Sequence, residues 1–294
     1  MLSSWFTQIR QTIDHTMLLM PYPSRLQMFE VEVMKLKSCI SKLTSESMME
    51  QTTALDDILH SIKSAWTTPQ YGRNLAYTLC DALRTEGGLC TIINNCASEV
   101  YEILLGSARV LSQCLTSPNR EYLVTTDKGL NIVVRMSNVH KTDGAMLAAS
   151  TGILEGLFKH SENTCRRLVE LGSLDLMSFS CRSFDQCTLR NCAMGLANLA
   201  LYGSKEMHAA MMRARIPEWL FPMAFSGDDV VRYYSSMAIC ALTVSREFAP
   251  LIEKSGTMAL VSTDLNKSRV ELANRMSQNS RAVSKQEDKS KTAD

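Results

Sequence analysis

An aromatic residue and three cations lie at comparable places along this chain. The stretch Trp66-Thr-Thr-Pro-Gln-Tyr-Gly-Arg73 puts a tryptophan and an arginine at a turn that leads into a helix. Arg120 follows Pro118-Asn119 at the next such turn, and Lys159 is at the one after that. These residue types can hold an aromatic, phosphorylated small molecule, with its ring on Trp66 and its phosphate on the cations. The alternative is that Trp66 belongs to the core and the cations are solvated turn residues.

Catalytic signatures are absent from the sequence. It contains no G-x-S-x-G, G-x-G-x-x-G, G-x4-G-K-[ST] or H-E-x-x-H motif. Its five histidines lie far apart and form no ligand-like pair. The adjacent carboxylates Asp56-Asp57 and Asp228-Asp229 are predicted at helix starts, where the helix N-terminus favours negative charge. We therefore predict no catalytic residue and no enzymatic activity for this chain.

The ten cysteines are scattered through apolar helical stretches, which indicates reduced and partly buried thiols. Cys181, Cys187 and Cys192 form C-x5-C-x4-C, which lacks the closely spaced pair of structural zinc sites. We therefore expect no metal site and no catalytic cofactor.

Composition indicates the class of fold that must position these residues. The 294 residues carry a formal net charge of +1, which argues against a general nucleic-acid binder or a polybasic membrane-surface protein. Aromatic residues make up 6%, and there are only 13 Gly and 7 Pro, which favours helices over a many-stranded β protein. No apolar run approaches the roughly 20 residues needed to cross a bilayer.

A small-residue turn followed by an apolar helix recurs along the chain. Successive copies are aligned with steps of 41, 44, 44 and 40 residues at Leu89, Leu130, Leu174, Glu218 and Met258. This is the period of armadillo and HEAT units. Such a unit cannot bury its apolar face alone, so stacked units share one core and their equivalent positions line one surface.

Each period has the same predicted order of elements. Long helices rich in small residues are predicted at 145–159 and 188–202, and short helices at 164–171 and 207–214. Small residues allow neighbouring helices to approach closely. Amphipathic periodicity predicts two further helices within residues 24–64 and an amphipathic helix rather than a mitochondrial presequence in residues 1–20.

We predict an all-α protein, a right-handed armadillo/HEAT-type α-solenoid of about five repeats. N-terminal helices occupy residues 1–49, armadillo repeats residues 50–261, and a disordered polar tail residues 262–294.

Four stretches are more specific than the repeat pattern. They are Trp66–Arg84, Gly152–Glu162, Glu218–Ser226 and Ser255–Val261. Through them the chain resembles the armadillo region of the SARM family, NAD+ hydrolases with sterile-alpha-motif (SAM) and TIR domains. The resemblance covers residues 50–261.

The resemblance implies a regulatory role. In that family the armadillo domain holds the TIR domains inactive within a ring-shaped homo-oligomer, and NAD+ bound to the armadillo domain favours this state. Nicotinamide mononucleotide displaces NAD+ and releases the TIR domains, which destroy NAD+ in axon degeneration; the family also acts in innate immune signalling. The implied location is the cytoplasm of neuronal processes, with association with mitochondria.

Residue by residue, the resemblance implies a nucleotide site. Trp66 matches the tryptophan that stacks on the nicotinamide ring, and Arg73 and Arg120 match arginines that face phosphate. Gln113 matches a polar pocket residue and Lys159 a basic one. Two positions depart from the family: a pocket glutamate is Ser112 here, and a histidine of some members is Gly156.

Past Val261 the family continues with further repeats, whereas this sequence becomes a polar tail. We therefore expect a sensor module with a half-walled site and without the SAM and TIR domains, as in a fragment, a short isoform or a truncated gene. One alternative is an armadillo scaffold that binds a peptide or a partner domain. It is disfavoured because only Asn198 fits the asparagine pattern of peptide-binding armadillo proteins. Another is a short form that associates with full-length relatives.

Overall fold

A computed structural model describes residues 22–243, except 70 and 127, together with Phe248 and Pro250. Predictions for residues 1–20, for the fifth repeat copy at 255–261 and for the tail at 262–294 lie outside the described residues. The division of the chain at residues 49 and 261 stays a prediction. Within the described residues there are helices, turns and loops, and no β-strand.

The described residues form fourteen helices. They are α1 (Tyr22–Lys42), α2 (Met48–Thr67), α3 (Gly72–Thr85), α4 (Gly88–Asn95), α5 (Tyr101–Cys114), α6 (Ser117–Thr125), α7 (Gly129–Val139), α8 (Gly144–Leu157), α9 (Glu162–Glu170), α10 (Ser173–Ser180), α11 (Gln186–Tyr202), α12 (Lys205–Arg213), α13 (Pro217–Met223) and α14 (Asp229–Leu242). From α3 onward they group into four three-helix repeats, α3–α5, α6–α8, α9–α11 and α12–α14. The predicted all-α repeat architecture is confirmed.

The chain divides after His160 into two units. In the first unit the last helix of each repeat packs on an earlier long helix, α5 against α2 and α8 against α5, and α1 covers α2 and α3. In the second unit α14 packs against α11, and α12 against α9. Each unit encloses aliphatic side chains with no solvent exposure, such as Ile58 and Leu111 in the first and Leu196 and Ile239 in the second.

A residue with left-handed backbone makes the corner between the first and second helix of every repeat. These corners are Gly87 (φ 80°), Lys128 (φ 71°), Gly172 (φ 92°) and Arg215 (φ 58°), spaced 41 to 44 residues apart. The first three alignment positions lie two residues after their corner, as the repeat prediction requires. The fourth, Glu218, lies three residues after Arg215, so that alignment was wrong by one residue because no glycine stands at or beside that corner.

Side-chain caps begin several of the long helices. Asp143 accepts a hydrogen bond from the Met146 amide (2.7 Å), and Asp185 and Asp228 cap α11 and α14 in the same way. The predicted helix start at Asp228-Asp229 is therefore confirmed. The one at Asp56-Asp57 is wrong, because Ser47 caps α2 and places both carboxylates inside the helix.

Glycines allow close approach of the helices that surround the site. A Cβ atom on Gly106 would lie 3.0 Å from the Leu55 side chain, and one on Gly156 would lie 3.2 Å from Leu115. The predicted use of small residues for close packing is confirmed at these two places. None of the described helices is long and apolar enough to cross a membrane.

Candidate functional site

A cavity of about 260 Å³ opens in the first unit, where the last turns of α2, α5 and α8 come together. Its lining comes from these helix ends, from α3, from the turn after α5 and from the beginning of α6. The lining residues are Trp66, Tyr77, Ser112, Gln113, Leu115, Thr116, Ser117, Pro118, Arg120, Gly152, Glu155, Gly156 and Lys159. Four of the five predicted site residues, Trp66, Gln113, Arg120 and Lys159, line this one cavity.

Trp66 forms a fixed aromatic wall of the cavity. It lies in the last turn of α2 rather than in the turn that follows, and it is half-buried. Its Nε1–H donates to the backbone carbonyl of Gln113 (3.0 Å), which ties the end of α2 to the end of α5. The Tyr77 ring packs against the indole at 79° with 5.3 Å between centroids. Because these contacts hold the indole, its plane is set before any ligand arrives.

A hydrogen bond to the main chain holds Arg120 in place. Its Nη1 donates to the Leu115 carbonyl (2.8 Å), and its buried Nε–H meets no acceptor among the described residues. The neighbouring Asn119 is buried and donates to the carbonyls of Cys80 (2.9 Å) and Cys114 (2.8 Å). This amide fixes the turn between α5 and α6. The guanidinium is therefore anchored through one nitrogen and retains other N–H groups that can bind an anion.

Lys159 and Glu155 form an ion pair one helical turn apart at the end of α8. The carboxylate is the more enclosed partner, with 13% of the side chain exposed against 41% for the lysine. The cavity thus contains two cations and one carboxylate, which leaves a net positive charge of one.

Arg73 does not line the cavity. It lies in the first turn of α3, exposed to solvent, with its Cζ 5.9 Å from the centroid of Tyr77. Arg73 therefore lies against Tyr77 and is not among the lining residues that include Arg120 and Lys159. Its predicted contact with phosphate stays a prediction.

Both positions that depart from the family line the cavity. The Ser112 hydroxyl donates to the Arg109 carbonyl (2.7 Å), so it remains close to its own helix. Gly156 packs against Leu115, and any larger side chain there would require Leu115 to move. A side chain at position 156 would therefore contact Leu115 already at its Cβ atom.

Among the described residues that line the cavity there is no cysteine and no histidine. In the part of the chain that the structure describes, no group of three or more His, Cys, Asp or Glu side chains is placed to hold a metal ion. No disulfide joins the cysteines of the described residues, and burial raises the pKa of the Cys80 and Cys96 thiols to about 12 and that of Cys114 well above its usual value. Such thiols remain protonated and unreactive at neutral pH.

Three relatives carry the name NAD(+) hydrolase. The chain is 43% identical over 209 residues to sarm1 of Drosophila melanogaster, 34% over 231 residues to SARM1 of Danio rerio and 30% over 246 residues to tir-1 of Caenorhabditis elegans. The matches cover 70%, 77% and 81% of this chain but only 15%, 32% and 24% of those proteins. No protein-family model matches the chain.

Solved structures with a similar fold include designed armadillo repeat proteins. A designed armadillo repeat protein, YIII(Dq)4CqI, has a TM-score of 0.64 at 14% identity, covering 79% of this chain and 91% of its own. A second design, solved in complex with the peptide (KR)4, has a TM-score of 0.63 at 14% identity, with coverage of 79% and 96%. At this identity the likeness concerns the fold alone, and it confirms the predicted armadillo-type α-solenoid.

Proposed function

The chain is a relative of the SARM-type NAD+ hydrolases, and we propose that it is a regulatory armadillo module whose cavity binds a nicotinamide nucleotide. The observation that supports this most is that Trp66, Gln113, Arg120 and Lys159, which are far apart in sequence, line one cavity. The relatives are longer proteins, so that their activity and partners are proposed, and not shown, for this chain.

The cavity offers a nucleotide two kinds of contact. The nicotinamide ring stacks on the Trp66 indole, and the phosphate takes charge-assisted hydrogen bonds from Arg120 and Lys159. The volume of about 260 Å³ lies just below the 300–1,000 Å³ typical of ligand pockets. A mononucleotide suits this space, whereas the adenosine half of NAD+ would extend beyond it.

The regulatory part of the proposal follows from what the family resemblance of the sequence implies. NAD+ in the cavity favours a state in which the TIR domains of full-length relatives, assembled through SAM domains as homo-oligomers, are inactive. Nicotinamide mononucleotide displaces NAD+ and releases them, with the consequences for axons and innate immunity that the resemblance implies. The module itself cleaves no NAD+ and acts in the cytoplasm.

Binding can be tested by isothermal titration calorimetry of the purified chain with nicotinamide mononucleotide and with NAD+. We expect saturable binding of both, and a loss of at least tenfold in affinity for Trp66→Ala and for Arg120→Ala, because each removes one of the two contacts. Arg135→Ala, which removes an exposed arginine of α7, is the control and should leave binding unchanged. Absence of binding at millimolar nucleotide, with folding intact, would reject the proposal.

The same samples test the competing functions. Chromatography of NAD+ after prolonged incubation should return it intact, and its cleavage would make the chain an enzyme. Binding of an extended basic peptide in place of nucleotide would favour a peptide-binding scaffold. Co-purification with a full-length relative, in the absence of nucleotide binding, would favour the short form that associates with such proteins.

A further inference from the structure

The carboxylate of Glu155 is the one charged group of the cavity that phosphate binding does not explain. It lines the same space as Arg120 and Lys159, and its side chain is more enclosed than that of the lysine. An anionic ligand by itself should be repelled by such a group. The carboxylate therefore indicates a further feature of the ligand, an inference that rests on the proposed function.

Phosphate binding changes the surroundings of Glu155. In the described structure the Lys159 ammonium is paired with Glu155. A phosphate that recruits Lys159 weakens this ion pair, and weakening the ion pair of an enclosed carboxylate is unfavourable. A ligand that brings its own positive charge to Glu155 compensates for this loss, because Lys159 then pairs with the phosphate and Glu155 pairs with the cation of the ligand.

The aromatic wall provides a second contact for a cation. Trp66 and Tyr77 line the cavity together with Glu155. Aromatic faces attract cations, and the effect is larger for tryptophan and in partly desolvated sites. A carboxylate beside tryptophan and tyrosine is thus a combination suited to a flat cation.

We propose that Glu155 is a specificity-determining residue that selects a nucleotide whose ring carries a positive charge, the oxidised pyridinium, over the same nucleotide with a neutral dihydropyridine ring. Arg120 and Lys159 take the phosphate, while Glu155 and Trp66 take the charged ring. The cavity therefore recognises a ligand with separated positive and negative charges, and it reports the oxidised form of the nucleotide.

The test compares oxidised and reduced nicotinamide mononucleotide, which share phosphate, ribose and amide and differ in ring charge. For the wild-type chain we expect the oxidised form to bind about tenfold more tightly. In Glu155→Gln the ratio of the two dissociation constants should fall to about two. The reduced form should bind this variant at least as well as the wild type, because Lys159 no longer has a carboxylate competing for it.

A control variant separates this effect from general charge. Glu102→Gln removes an exposed carboxylate in the first turn of α5, away from the cavity lining, and should keep the wild-type ratio. If Glu155→Gln leaves the ratio of the two dissociation constants unchanged, any preference is due to the loss of ring planarity in the reduced form, and the inference is overturned. Equal binding of both forms by the wild type overturns it while the proposed function stands. If neither form binds, the proposed function fails and the inference falls with it.

Discussion

Asp228 shows how one side chain can serve two elements. One carboxylate oxygen accepts the amides of Val230 and Val231 (both 3.0 Å) and so caps α14. The other accepts Nε (2.9 Å) and Nη2 (2.6 Å) of Arg190 on α11. The Arg190 guanidinium, together with the amide donors, lowers the pKa of Asp228 from 3.8 to about 2. The charged carboxylate therefore joins the two long helices of the second unit.

This residue predicts a pH dependence of stability. Because the folded pKa is lowered, the contribution of Asp228 is fully present above its unfolded value near 4 and is lost as pH falls towards 2. Asp228→Asn retains a capping oxygen but loses the charge. We expect a difference in unfolding free energy between wild type and variant at pH 5 that shrinks between pH 4 and pH 2, as measured by urea denaturation. Asp175→Asn, at an exposed carboxylate in α10, should show little difference at any pH, and a gap for Asp228→Asn that persists at pH 2 would contradict the assignment.

At the same scale, the cavity residues differ in how visible they are in the sequence. Trp66 and Arg120 could be predicted because a tryptophan and an arginine at repeat junctions are unusual side chains for those places. Glu155 could not, because a glutamate four residues before a lysine is typical of any solvated helix face. Tyr77 lies within a stretch that resembles the family, but its edge-on contact with Trp66 depends on how α3 packs on α2.

At the scale of the element, the left-handed corner is the feature that recurs in every repeat. A left-handed residue stops the first helix of each repeat and redirects the chain into the second. Glycine adopts this conformation without strain, and other residues do so at a cost of about 1 kcal/mol. Glycine signals therefore made the repeats visible in the sequence, and the copy whose corner is Arg215 was misaligned. The helix start predicted at Asp56-Asp57 was wrong for a similar reason. A pair of carboxylates is a more conspicuous start signal in the sequence than the single serine, Ser47, that caps α2.

Substitutions at two corners test whether the left-handed backbone favours glycine there. A Cβ atom at Gly87 would meet no atom within 4 Å, so Gly87→Ala reports backbone strain alone. We expect it to reduce the free energy of unfolding by about 1 kcal/mol, and Lys128→Gly to raise it by up to a similar amount. Gly144→Ala is the control in chemical denaturation, because Gly144 has open space and no left-handed backbone. If Gly87→Ala is as harmless as Gly144→Ala, the corners are not strained.

At the scale of the whole molecule, each unit buries its own core, and the cavity is lined entirely by residues of the first unit. The prediction of an α-solenoid from the sequence succeeded because the repeats use local signals, namely corners, caps and small residues, that recur at a nearly constant period. The charge exchange in the cavity could not be predicted in this way, because it depends on which side chains from α2, α5, α6 and α8 meet.

Whether this cavity binds a nicotinamide nucleotide can be seen in a crystal structure of the chain grown with nicotinamide mononucleotide. We expect the ring stacked on Trp66 near Glu155, with the phosphate within hydrogen-bond distance of Arg120 and Lys159. A nucleotide bound elsewhere, or a cavity that stays empty at saturating nucleotide, would contradict the proposed function.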